Sequence, residues 1–252
     1  MERARRDQVA PATLRRSVRL LKAFRVEQTD PAHFYTVLAD DSVRQLHRWT
    51  GLEGRLLLDV GGGPGYFADA FRAAGARYVG VDSDLGELGA RSVPERGSVL
   101  GSGLDLPVRD GVADITYSSN VLEHVAQPER LVEEMLRVTR PGGLAVVSYM
   151  LWLGPHGGHE TSPWHYLGGH RAARRYERVH GRPPKNRFGE SLFPISAARM
   201  LRWARRQQAA DVVALQPRYH PWWAHWVVRV PGLREVATWN LMMVLRKRDV
   251  EA

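Results

Sequence analysis

Between residues 50 and 150, short apolar runs alternate with segments of helical periodicity, and no other feature of the chain constrains its fold as tightly. The alternation predicts a parallel sheet wrapped by helices, since parallel strands need a crossover between them. Strands are expected at 55–60, 77–82, 98–101, 112–118 and 144–150, with helices near 65–74, 85–91 and 128–139. The last helix opens on Pro128, carries Leu131, Met135 and Val138 on one face with Val132 and Leu136 beside it, and stops at Arg140-Pro141-Gly142-Gly143.

Beyond Met150 the alternation lapses for about 45 residues, where a usual connection has ~4–6. Residues 151–195, basic and rich in His and Trp, are therefore expected to form a lid. Within them Arg171, Arg174, Arg175 and Arg178 recur at helical spacing, opposite Ala172, Tyr176 and Val179, with Gly181 as the stop. A further helix is expected at 196–208, and closing strands at 212–215 and 237–245. Residues 1–50 read as a helical appendage to a domain spanning 51–252.

Composition excludes several chemistries. The 252 residues include no cysteine, which rules out disulfides, a thiolate nucleophile and Cys-based metal sites. The longest uncharged stretch, 141–159, is broken by Pro155 and several glycines and cannot span a bilayer. The Arg-rich N-terminus lacks the apolar block of a secretory signal, so a cytoplasmic protein is expected. The net charge of +9 is segmented: residues 26–170 carry 11 basic and 19 acidic side chains, whereas 1–25 carry eight and two, and 171–206 carry 11 and two. Positive charge thus belongs to the flank and the lid.

The first strand ends in Asp59-Val60-Gly61-Gly62-Gly63-Pro64-Gly65, directly before a helix, where glycines let the main chain approach a ligand. A dinucleotide loop would need glycine at the sixth place, which is Tyr66, and Asp59 would repel a pyrophosphate. A cationic ligand suits that carboxylate better. The second strand ends in Asp82, 21 residues after Gly61, placed to accept from ribose hydroxyls or, more simply, to cap the helix near Asp84.

Asp59, Gly61, Gly63 and Gly65 match the D-x-G-x-G-x-G loop of the class I S-adenosylmethionine (SAM)-dependent methyltransferases, and Val121-Leu122-Glu123-His124-Val125 is similar to a segment of that family. The resemblance covers about residues 50–150. It implies a Rossmann-like, doubly wound, mostly parallel seven-stranded sheet with helices on both faces, and SAM as methyl donor. It further implies cofactor contacts from Asp59, Gly61, Gly63, Gly65, Asp82, Ser83, Ser102, Gly103 and Asn120. Ser102 stands where family members typically have the Asp that bonds adenine.

Methyl transfer from a sulfonium is an in-line displacement that needs positioning and exclusion of water, not a protein nucleophile. If the acceptor needs a base, His124, His156 and His159 are candidates; Arg171, Arg174, Arg175, Arg178 and Tyr166 are candidates for contacting an anionic acceptor. His156-x-x-His159 with Glu160 lacks a helical ligand frame, so no metal is expected. Residues 11–25 form a basic stretch with Leu14, Val18, Leu21 and Phe24 at helical spacing, and 222–226 hold three tryptophans; both suit an anionic membrane at the inner face, although such a stripe also suits a helix that joins the core. The acceptor favoured is a small molecule or a lipid-linked one. The alternatives are a non-catalytic SAM-binding regulatory or assembly protein and an RNA methyltransferase. A nucleic-acid partner is disfavoured because the N-P-P-Y signature of amino-methylating enzymes is replaced by Ser119-Asn120-Val121-Leu122.

Overall fold

The structure is a computed structural model and describes residues 12–27, 29–88 and 97–249. Pro11 of the basic stretch and residues 89–91 of the second expected helix lie outside these.

Seven strands form one sheet in the order β3-β2-β1-β4-β5-β7-β6. They are β1 (Leu56–Val60), β2 (Arg77–Asp82), β3 (Ser98–Leu100), β4 (Ala113–Ser119), β5 (Thr139–Met150), β6 (Ala210–Pro217) and β7 (Asn240–Lys247). The first five pair in parallel, and β7 runs antiparallel to both β5 and β6. Order reverses between β1 and β4, so the crevice at their carboxyl ends is where an open α/β sheet binds its ligand.

Strand periodicity explains the two-faced core. On β5, Ala145, Val147 and Tyr149 face one cluster with Leu58, Val60, Met243 and Leu245, while Leu144 and Val146 face another with Leu57, Ile115, Tyr117 and Val244. The first cluster is covered by α5 (Pro128–Val138) and α7 (Ala197–Arg206). The second is covered by α1 (Leu14–Phe24), α2 (Pro31–Leu46) and α3 (Ala68–Ala73), so the N-terminal helices share the core of the sheet. A short α4 (Leu85–Leu88) follows β2. The region after β5 holds α6 (Gly169–His180), closed by Gly181 in the left-handed conformation.

Four expectations need correction. The first crossover helix starts at Ala68, not 65, because Gly65 at φ 79° still belongs to the turn. Residues Arg140–Gly143 do not separate helix from strand; they bulge within β5, where pairing jumps from Thr139 to Leu144 opposite Ala113 and Ile115. Ala237 ends a helix, α8 (Leu233–Ala237), instead of opening a strand. There Glu235 accepts the Ala197 and Ala198 N–H groups at 2.8 Å each, capping the start of α7 and tying α8 to it. Finally, Val179 is 58% exposed, because α6 is buried only near its start at Gly169 and Ala172.

Candidate active site

Gly61, Gly63 and Gly65 have φ of 79°, 50° and 79°, a run that favours glycine. Gly61 is doubly constrained, since a Cβ there would stand 2.3 Å from Cγ2 of Val121. Among the described residues a Cβ on Gly63 would meet nothing within 4 Å, which leaves open space above the loop. Asp82 fixes that loop: one carboxylate oxygen accepts the Gly63 N–H at 2.9 Å and the other accepts the Asp84 N–H at 3.0 Å. Asp84 in turn accepts the Gly86 N–H at 2.7 Å, so Asp84 holds the α4 turn and Asp82 the loop.

Asp59 lies beneath the loop, 2% exposed, and accepts the Tyr78 hydroxyl at 2.8 Å. Burial pushes its carboxyl up to about 7, opposed by the Tyr78 hydrogen bond and aided by the charge of Asp82. Ser102 accepts the Leu104 N–H at 3.1 Å, and a Cβ on Gly103 would press on Leu131 and Val60 at 3.1 and 3.2 Å. Ser83 is exposed beside Asp82. Asn120, at φ 58°, bonds Ser148 through its N–H at 2.7 Å and accepts from Asn240 Nδ2 at 2.7 Å. Asp59, the glycines, Asp82, Ser102, Gly103 and Asn120 thus sit at or just beyond the carboxyl ends of β1 to β4.

The histidines separate into different settings. His124, in a 3-10 turn after β4, has Nδ1 2.7 Å from the Ser191 carbonyl; a carbonyl only accepts, so Nδ1 donates, and in the neutral ring Nε2 then has the lone pair. His159 stands ring to ring with His124 at 5.0 Å. His156 instead packs between Phe24 and Trp239, at 4.8 and 4.9 Å, and burial lowers its pKa. Glu160 accepts from Asn186 Nδ2 at 3.0 Å while His156 packs on Phe24, and among the described residues His156, His159 and Glu160 do not converge as a ligand group. Arg171, Arg174, Arg175 and Arg178 are exposed along α6, with the Arg175 guanidinium 4.0 Å above the Trp164 ring. Tyr166 donates to the Gly154 carbonyl at 3.3 Å.

Sequence reasoning missed Arg218, 1% exposed beneath this edge. It donates to the hydroxyls of Ser42, Tyr117, Ser119 and Ser148 at 2.6–2.7 Å, and its carbonyl accepts from Arg16 at 2.9 Å. Small strand serines give no signal of such a network.

Residues 58–147 match the family described as a methyltransferase domain. An uncharacterized methyltransferase of Mycolicibacterium gilvum is 60% identical over 93% of this chain and 95% of its own length. One from Mycobacteroides abscessus is 55% identical over 94% and 96%. The chain belongs to this methyltransferase family. Among solved structures, an S-adenosylmethionine-dependent methyltransferase from Mesorhizobium loti superposes with a TM-score of 0.55 over 82% of this methyltransferase and 96% of that chain, at 18% identity. A second from Aquifex aeolicus gives 0.51 over 90% and 98%, at 13% identity. The Rossmann-like, mostly parallel seven-stranded sheet implied by the resemblance is thereby matched. No helix among the described residues is long and apolar enough to cross a membrane.

Proposed function

We propose that the protein transfers the methyl group of SAM to an amphiphilic, lipid-linked acceptor reached from an anionic membrane surface. Three features fit SAM: the open space above Gly63, the left-handed glycine run, and a carboxylate at Asp82 on the crevice edge. When bound, SAM supplies an electrophilic methyl on a sulfonium that leaves as a neutral thioether. Gly61, Gly63 and Gly65 would admit it, Asp82 would accept its ribose hydroxyls, and Asn120 would line its methionine end. The chain's contribution is to hold donor and acceptor in line and keep water out.

The observation that supports the acceptor class is the double placement of α1. Of the stripe only Phe24 packs on the core; Leu14, Val18 and Leu21 are 58%, 41% and 38% exposed, and burial falls instead on Leu20 and Ala23. Ala12, just before α1, accepts the Trp222 N–H at 2.6 Å, which brings in a turn whose Trp222, Trp223 and Trp226 are 64%, 56% and 53% exposed. Between α1 and α2 opens a cavity of about 380 Å³ lined by Arg15, Arg16, Arg19, Arg44 and Arg48, with Asp41 as its acid. The charges of Arg48 and Arg16 reach His225 in the tryptophan turn, adding to burial in lowering its pKa. At its other end α1 reaches the post-β5 segment through Phe24 and His156. Exposed apolar residues rimmed by arginines match an anionic interface, where each cation adds about 1 kcal/mol.

Labelled SAM incubated with a lysate, then fractionated into lipid, small-molecule, protein and RNA pools, tests the reading. Label in the lipid pool supports it; label confined to RNA overturns the acceptor class, and tight SAM binding without transfer to any pool overturns the enzyme reading. Flotation on phosphatidylglycerol vesicles, lost in Trp222→Ala/Trp223→Ala/Trp226→Ala and absent on phosphatidylcholine, tests the surface.

A further inference from the structure

Glu123 is 1% exposed, yet its Oε2 has no hydrogen-bond partner among the described residues. Leaving such an oxygen unsatisfied costs about 1–3 kcal/mol or more. The side chain is not free to seek another place: Oε1 accepts the Met150 N–H at 3.2 Å, and the Glu123 carbonyl accepts the Phe193 N–H at 2.8 Å. His159 brings a second buried orphan, Nε2, on a backbone at φ 49° that a histidine rarely adopts. His124 presents the Nε2 lone pair left by its Nδ1 contact with the Ser191 carbonyl. One ligand atom from each of the three lies within 4.8 Å of the other two.

We propose that Glu123, His124 and His159 bind one divalent transition-metal ion of the zinc class through a carboxylate oxygen and two imidazole nitrogens. The donor set decides the ion: two imidazoles and one carboxylate suit zinc and its neighbours, whereas magnesium and calcium take oxygen sets. Orientation of His124 by a main-chain carbonyl is the outer-shell arrangement that metal-bound imidazoles use. Ligands about 2 Å from a shared ion stand about 3–4 Å apart, so small side-chain rotations close the set. Three protein ligands leave a fourth position for water or an acceptor oxygen. Because Glu123 and His124 follow β4 and His159 belongs to the post-β5 segment, the ion would also tie that segment to the sheet edge.

The rival is a direct Glu123–His159 hydrogen bond with no ion. The full chain, prepared without a histidine tag and stripped with chelator, is titrated with Co²⁺. One equivalent per chain is expected, with visible d–d bands that Zn²⁺ abolishes and a rise in Tm on adding Zn²⁺. Affinity should fall at least tenfold in His159→Ala and Glu123→Gln and stay unchanged in His170→Ala, an exposed histidine of α6. His124→Asn, which keeps an N–H for the Ser191 carbonyl but has no second ring nitrogen, serves as an independent ligand variant should His159→Ala fail to fold. No stoichiometric uptake by folded wild type, or equal uptake in the folded ligand variants, overturns the site and favours the hydrogen bond.

Discussion

The Asp82 carboxylate accepts the Gly63 N–H at 2.9 Å, which makes the acid that ends β2 and the glycine loop after β1 one mechanical unit. A residue placed by sequence as a ribose partner therefore also sets the loop's shape. Asp82→Ala removes both roles. The expected outcome is a 10- to 100-fold or greater loss of SAM affinity by calorimetry, at about 1.5–3 kcal/mol per hydrogen bond to a charged group. Asp82→Asn keeps an acceptor for Gly63 and should fall between the two. Unchanged affinity in Asp82→Ala would remove this residue from the binding account.

Gly61 tests the loop from its other side. Gly61→Ala forces a side chain into φ 79° and sets its Cβ 2.3 Å from Val121 Cγ2. Left-handed strain of about 1–2 kcal/mol and overpacking of about 1–3 kcal/mol should add in urea unfolding. Val121→Ala relieves only the overlap, so the double variant should show coupling of about 1–3 kcal/mol while the strain remains. A fully additive cycle would place the cost in backbone conformation alone.

What the sequence made legible follows from how each feature arises. Positive-φ glycines and period-two strands are local, so the loop, five parallel strands and the α5 helix can be read along the chain. The N-terminal stripe was readable, but not its direction: Leu14, Val18 and Leu21 repeat as a core face would, while Arg16, paired with buried Asp41 at 2.6 Å, turns the helix so that Leu20 and Ala23 go inward. Spacing alone could not place the histidines. His156 and His159 are near neighbours in sequence, yet one packs on Phe24 and the other on His124, and the carboxylate beside the latter is Glu123, not Glu160. Only folding brings β4 and the post-β5 segment together.

Arg218 predicts a stability effect no composition argument anticipates. Its guanidinium is fully buried on four hydroxyls, and its carbonyl anchors Arg16 of α1. Arg218→Ala opens a cavity and strands those hydroxyls, so a loss of about 3–5 kcal/mol in urea unfolding is expected. Ser119 and Ser148 bear directly on the loop carrying Asn120, and SAM affinity should fall even where the variant remains folded. Arg218→Lys cannot reach four partners with a planar fork and should not restore either property.

Asp59 gives the protein a pH dependence of definite sign. Burial raises its folded-state pKa from 3.8 to about 7, so between those values the native state holds a proton that the unfolded chain has released. Its contribution to stability is fully present below about pH 4, falls as pH rises, and is lost once pH passes the folded value near 7. Asp59→Asn keeps an acceptor for the Tyr78 hydroxyl without the charge, and so removes this dependence. The stability of the variant relative to wild type should therefore increase from pH 5 to pH 8, by a few kcal/mol at most at ~1.4 kcal/mol per pH unit. Urea midpoints at those two pH values provide the comparison. A gap that stays constant would mean that Asp59 ionises in the fold as it does in the unfolded chain, and that the Tyr78 hydrogen bond offsets its burial.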